Sequence, residues 1–307
     1  MRVFVTGASG WIGSALTREL IGAGHEVVGL ARSETAAAAV RETGAQVLRG
    51  DIQDLEVLRA GARGSDAVVH LAFRHEVAFR EGDPAAAVAS DRAAIDAIGE
   101  ELAGTGRPLA IASGVAGLRP GTLATESDRP EPIPGVGGRV WSERAALALA
   151  DRGVRSMSVR FAPTVHGDGD GGFIKQIAEA DRSHGMAAYV GDGANRWPAV
   201  HRSDAARLVR LGIERAPAGS VLHAVGEEGV AMREIAGAIG RGLDIPTGSI
   251  AAEDAPAHFG FLAGFIGLDM PVSSAITREL LGWSPEGPGL VEDIDARHYF
   301  EARSLKY

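Results

Sequence analysis

Three glycines, Gly7, Gly10 and Gly13, follow the run Val3-Phe4-Val5-Thr6 at the spacing G-x-x-G-x-x-G. Each has a separate physical task. One permits a sharp strand-to-helix turn, one lets backbone N–H groups approach a pyrophosphate, and one lets the helix pack closely on the sheet. The stretch 12–23, with Ile12, Leu16 and Leu20 on one face, supplies the helix, and its positive end would face the phosphates. Strand, turn and helix in this order imply a dinucleotide site built from Gly7, Ser9, Gly10, Trp11, Ile12 and Gly13.

The second strand, 26–30, ends at Ala31-Arg32-Ser33. A carboxylate about twenty residues past such glycines would grip the adenosine ribose of NAD. Here a guanidinium and a hydroxyl replace it. Arg can fork onto phosphate oxygens, so Arg32 and Ser33 suit the 2′-phosphate of NADP(H). The alternative is a solvated arginine beside an ordinary N-cap serine.

Around these residues, apolar runs at 2–6, 26–30, 46–48, 67–72, 108–112, 154–161 and 220–225 alternate with alanine-rich helical stretches at 12–23, 34–43, 54–62, 85–103 and 139–151. That rhythm predicts an α/β fold, a Rossmann-type doubly wound parallel sheet with helices on both faces. After 162 the rhythm breaks. We expect a dinucleotide-binding domain over 1–165, with 203–227 returning to it, and a smaller interleaved substrate lobe over 166–307.

The chain has 307 residues, 45% of them hydrophobic, enough for one large core or two unequal ones. It has no cysteine, which excludes disulfides, thiolate metal sites and cysteine nucleophiles. A net charge of −9 argues against nucleic acid or an anionic membrane as partner. The first residues enter a strand at once, so no signal peptide is expected and the protein reads as cytoplasmic. The apolar stretch 258–270 is too short and glycine-broken to span a bilayer.

The chain resembles the short-chain dehydrogenase/reductase superfamily, in its extended or atypical, epimerase-like branch. The resemblance covers nearly the whole length and rests on TGASGWIG at 6–13, GDIQD at 50–54, VVHLAF at 68–73, IASG at 111–114, RFAPTVHGDGD at 160–170 and WPAVHRSDAARL at 197–208. It implies that Asp51 and Ile52 hold the adenine, that Leu71, Ala72 and Phe73 line the cofactor channel, and that Pro163, Thr164 and Val165 border the nicotinamide amide.

Members of the superfamily normally carry Ser or Thr at the end of strand five, then Tyr-x-x-x-Lys on the next helix. Ser113 matches the first. The helix slot is RVWSE, with Arg139 for the Tyr and Glu143 for the Lys. The tyrosines are Tyr189, Tyr299 and Tyr307 and the lysines Lys175 and Lys306, none of them on this helix. A positioned general acid contributes about 10²–10⁴-fold. Arg139 cannot donate a proton at working pH but can stabilise an oxyanion by charge; alternatively it pairs with Glu143 on the helix surface. The proton then comes from His166, from water or from the substrate. His70 reads as a core histidine. No metal-ligand spacing occurs among the nine histidines, and the opening Asp168-Gly169-Asp170 lacks the later ligands of a calcium loop, so no metal is expected.

Asn195, Arg196 and Trp197 fall where related proteins contact substrate. Phe259, Phe261, Phe265 and Ile266 form an apolar cluster that would cover a flat hydrophobic ligand or simply build core. Three readings stay open. One is an NADPH-dependent reductase of a ketone on a bulky hydrophobic substrate, similar to atypical polyketide-type ketoreductases. The others are a nucleotide-sugar epimerase or dehydratase, and a non-catalytic NADP-binding regulator.

Overall fold

The computed structural model describes residues 1–130 and 139–300. Lys306 and Tyr307 lie outside them. In chain order the strands are β1 (Arg2–Thr6), β2 (Glu26–Ala31), β3 (Gln46–Arg49), β4 (Ala67–His70), β5 (Pro108–Gly114), β6 (Arg155–Phe161), β7 (Thr164–His166), β8 (Ala187–Val190), β9 (Arg196–His201), β10 (Ser220–Ala224), β11 (Glu227–Ala231) and β12 (Thr247–Ile250). Seven of them form a parallel sheet in the order β10-β6-β5-β4-β1-β2-β3. These are the seven apolar runs of the sequence. Val3, Phe4 and Val5 have no exposed surface, as a strand covered on both faces requires.

The main helices are α1 (Trp11–Gly22), α2 (Glu34–Glu42), α3 (Leu55–Arg63), α4 (Pro84–Leu102), α5 (Arg139–Ala148), α6 (Phe173–His184), α7 (Arg202–Arg215) and α8 (Met232–Leu243). Local chemistry sets several starts. Ser33 accepts from Ala36 N–H (3.1 Å) and Asp83 from Ala86 N–H (2.9 Å), with Pro84 in the first turn of α4. The strand order reverses between β1 and β4. The crevice beyond the carboxyl ends of these strands is where a doubly wound sheet takes its ligand.

A second core, including Ile174, Trp197, Ile235, Ile239, Ile266 and Leu290, holds α6, α8 and the strands of the two smaller sheets, β11-β9-β7 and β12-β8. The interleaving is deeper than the sequence suggested. Besides 203–225, Val272, Leu281 and Trp283 pack into the larger core. The stretch 258–270 is a set of short helical turns, and no described helix is long and apolar enough to cross a membrane.

Candidate functional site

At the carboxyl end of β1 the backbone shapes a cradle. Gly7 has φ +71°, and a Cβ there would meet the Ala72 nitrogen at 2.9 Å. A Cβ on Gly13 would lie 2.0 Å from the Gly7 carbonyl oxygen, so α1 starts this close to the turn only with glycine there. Gly10 is the N-cap of α1 and no side chain caps the helix. Its first N–H groups therefore face the crevice and favour an anion. Trp11 ties β7 to this end, donating from Nε1 to the Val165 carbonyl (2.7 Å).

The far wall of the cradle is held by a buried relay. Ala72 N–H donates to Thr6 Oγ1 (3.2 Å), which lies 2.8 Å from His70 Nδ1, and His70 Nε2 lies 3.2 Å from Asp91 Oδ1 on α4. Burial raises the Asp91 carboxyl, but His70, Arg139 and Ser142 outweigh it and the net shift is downward. An ionised Asp91 accepts a hydrogen bond from His70 Nε2–H, which leaves Nδ1 to accept one from the Thr6 hydroxyl. His70 is thus a satisfied core histidine that sets where Leu71 and Ala72 lie.

Beyond β2, Arg32 is exposed, with Glu76 3.8 Å away. The Ser33 hydroxyl is the N-cap of α2, and Arg49 donates to the Ser33 carbonyl (2.6 Å). Two guanidiniums thus flank this strand end. Asp51 accepts from Gln53 N–H (3.0 Å), a turn role, and Ile52 is buried in the core.

The two substituted positions on α5 diverge. Glu143 is buried and accepts from Arg160 (Nη2 at 2.6 Å, Nε at 2.9 Å) and from Ser158 (2.9 Å). Burial pushes its carboxyl up, but Arg160, Ser158 and Ser113 hold it net below the ordinary glutamate value. Arg160 has no exposed surface and also donates to the Asp128 carbonyl (3.0 Å) and to His223 Nε2 (3.3 Å). Arg139 turns the other way. It donates from Nη2 to the Ala112 carbonyl (2.7 Å), and its guanidinium carbon sits 4.6 Å above the Phe73 ring. A surface Arg139–Glu143 pair is therefore not what forms. Glu143 is spent on a strand arginine, and Arg139 bridges the ends of β5 and β4. Ser113 is buried at the register position beside Arg160, its side chain bonded to Glu143.

His166 is corrected as a proton donor. It is fully buried, with Nδ1 3.1 Å from Asp293, which also holds His298 (3.0 Å), while Tyr299 donates to Asp170 (3.1 Å). This cluster fastens residues 293–299 to β7 and leaves no open path for proton delivery. Thr164 is likewise occupied, donating to the Pro198 carbonyl (2.6 Å), and Val165 is buried; Pro163 keeps partial exposure.

The substrate candidates are corrected too. Trp197 has no exposed surface and stacks edge-on against Phe173 at 5.7 Å. Asn195 donates to the carbonyls of Ile266 (2.8 Å) and Leu268 (3.1 Å), and Phe259 is buried. These residues build the second lobe, because an indole and two phenyl rings close its core. Phe261 is 63% exposed and stands apart from that core.

Sequence reasoning missed Asp91, Arg160 and His75. Arg160 had a signal: a charge inside the strand RSMSVRF needs a buried partner. His75 had a weaker one, a titratable side chain two residues past a strand-end segment expected to line the channel. Its ring packs edge-on against Phe73, centroids 5.0 Å apart.

Fold and cradle together define a Rossmann-type dinucleotide-binding protein with a second lobe. The model of the NAD dependent epimerase/dehydratase family matches residues 3–224, and the chain belongs to that family. An uncharacterized protein of Schizosaccharomyces pombe is 46% identical over 303 residues, 98% of this chain and 100% of that one. A 4-hydroxy-2-methyl-3-oxo-4-farnesyl-3,4-dihydroquinoline-1-oxide ketoreductase of Stigmatella aurantiaca is 28% identical over 230 residues, 72% of this chain and 67% of that one. Among solved structures, a dTDP-glucose 4,6-dehydratase of Streptomyces venezuelae with NAD bound superposes with a TM-score of 0.77 at 22% identity, covering 97% of this chain and 96% of that one.

Proposed function

We propose that the protein is an NADPH-dependent reductase of a ketone whose α5 slot supplies positive charge in place of an acid. The carrying observation is Arg139, held between the Ala112 carbonyl and the Phe73 ring at the crevice end of the sheet. The glycine turn fits a dinucleotide, since only without a Cβ at Gly7 and Gly13 can the backbone hold α1, with its uncapped N–H groups, this close to the turn. The first N–H groups of α1 would hold the pyrophosphate, Arg32 and Arg49 the 2′-phosphate, and Leu71–Phe73 with Pro163–Val165 would border the nicotinamide half. When bound, the reduced nicotinamide supplies a hydride to the carbonyl carbon.

This chain's own contribution is electrostatic. Arg139 is partly buried, and burial lowers its pKa while Asp91 opposes. A guanidinium stays charged through such shifts and stabilises negative charge as it develops on the substrate oxygen. One N–H is used on Ala112, and Nε is buried with no hydrogen-bond partner among the described residues. Ser113, bonded to Glu143, supports the helix behind Arg139 and is not the proton donor.

The Stigmatella aurantiaca relative is a ketoreductase, which supports the reaction class. Phe259 and Ile266 of the apolar cluster that suggested a flat hydrophobic ligand are lobe core and Phe261 is exposed apart from it, so the substrate's bulk and apolarity rest on that relative. The test is calorimetry with NADPH and NADH, followed by NADPH oxidation across a panel of ketones. Tighter binding of NADPH with steady oxidation by at least one ketone is expected. Tight binding with no oxidation by any ketone would favour a non-catalytic regulator. Conversion of a nucleotide sugar with retained NAD would favour an epimerase or dehydratase.

A further inference from the structure

We propose that His75 is the side chain that exchanges the proton with the substrate oxygen, the task left open when α5 lost its tyrosine. The proposal rests on the reductase reading and deepens it.

The segment 71–75 begins against the glycine cradle, with Ala72 touching the space where a Gly7 Cβ would be. It ends under Arg139. The Arg139 guanidinium lies over the Phe73 ring and the His75 ring meets that same ring edge-on, so the three side chains form one cluster. The His75 backbone N–H closes the turn onto the Phe73 carbonyl (3.0 Å), which fixes where the ring projects. His75 is exposed and meets the same ring that Arg139 covers, so we place the substrate oxygen between them. It also precedes a single π-helical turn, Glu76–Arg80, a rare conformation that recurs at functional sites.

Four other proton carriers are bonded in the cores or the second lobe. His70 is buried between Thr6 and Asp91, and His166 and Tyr299 lie inside the Asp170–Asp293 cluster. Lys175 donates to the Tyr299 carbonyl (2.6 Å) in the second lobe.

The charges around His75 come from several elements. Arg139 on α5 and Asp91 on α4 act on it from across the crevice, and Arg74 and Glu76 flank it, Glu76 being drawn toward Arg32. Crowding by surrounding protein and the Arg139 charge lower its pKa below 6.5, with Asp91 and the Phe73 carbonyl opposing. His75 is then mostly neutral near pH 7. In reduction, the carbonyl carbon gains a hydride, two electrons with a proton, from the reduced nicotinamide, which leaves oxidised. The C=O π bond breaks onto oxygen. The oxygen takes the imidazolium proton, and neutral His75 recovers one from solvent. In the reverse direction neutral His75 accepts the alcohol proton. Reduction must therefore fall, and alcohol oxidation rise, as pH increases through one shared pKa below 6.5.

The first measurement uses no cofactor: the His75 imidazole is titrated by NMR in the full chain. A pKa below 6.5 that climbs in Arg139→Gln and drops further in Asp91→Asn is expected. A titration indifferent to Arg139→Gln overturns the pairing. The second is the pH profile of ketone reduction. His75→Gln should lower kcat about 10²-fold, the lower end for a positioned acid, erase the fall in rate as pH rises through the His75 pKa and leave NADPH affinity and the melting temperature unchanged. Added imidazole should partly restore His75→Ala, a response that a merely structural histidine would not give. Wild-type reduction with an unaltered profile in His75→Gln overturns the His75 role alone. A wild-type protein that reduces no ketone overturns the reductase reading and the role together.

Discussion

The turn after β1 and the first two turns of α5 face the same crevice and have kept different things. The turn works through backbone: its geometry depends on three missing side chains, and Cβ atoms at Gly7 or Gly13 would collide with backbone at 2.9 and 2.0 Å. The helix works through side chains, and there both positions expected to carry the acid and its lysine are replaced. Glu143 has been absorbed into the core with Arg160, and Arg139 has been sent out over Phe73. The two regions together teach that a turn written in backbone tolerates little change, whereas two side chains on the helix beside it take other partners while the sheet stays intact.

The strongest way to break this contrast is at Glu143. Glu143→Ala leaves Arg160 buried and uncompensated, and should cost about 3–5 kcal/mol of stability, read as a lower denaturant midpoint. Restoring the familiar pair by Arg139→Tyr with Glu143→Lys should destabilise as well, because the new ammonium would face the Arg160 guanidinium. A double variant as stable as the parent and more active would show that the slot is merely damaged.

Next in size is the cradle. Gly13→Ala must push α1 from the turn, and calorimetry should find dinucleotide affinity reduced by about 10²-fold or more, equivalent to at least about 2.7 kcal/mol. Retained affinity would mean that the turn is not the pyrophosphate site. Arg32→Ala is milder. It should remove most of a preference for NADPH over NADH of about tenfold, about 1.4 kcal/mol, with NADH affinity unchanged. Equal affinities in the wild type would end the 2′-phosphate assignment. Smallest is Phe261→Ala, which should change stability by less than about 0.5 kcal/mol, as for surface positions, whereas Trp197→Ala should cost about 3–5 kcal/mol. The reverse order would reinstate Trp197 as a substrate contact.

The sheet was legible because its central strands are buried on both faces and so appear as apolar runs, and all seven runs, the more exposed edge strand β3 included, pair in the sheet. The glycine cradle was legible for the same kind of reason, since spacing alone encodes it. The partners of α5 were not. Which way Arg139 and Glu143 point depends on Arg160, Ala112 and Phe73, residues distant in sequence that meet only when β4, β5, β6 and α5 are assembled. The second lobe was least legible, because an aromatic that lines a pocket and one that fills a core look alike in sequence. Trp197 and Phe259 fill a core.

The central claim is that Arg139 supplies charge to a developing oxyanion while the cradle binds cofactor independently. Single-turnover reduction of a ketone by preloaded NADPH, compared between the wild type and Arg139→Gln, tests it most directly. Loss of one such donor costs about 10²–10³-fold. The account predicts a fall of that size with NADPH affinity unchanged. Equal single-turnover rates would contradict it and return Arg139 to the role of a brace between β5 and α5.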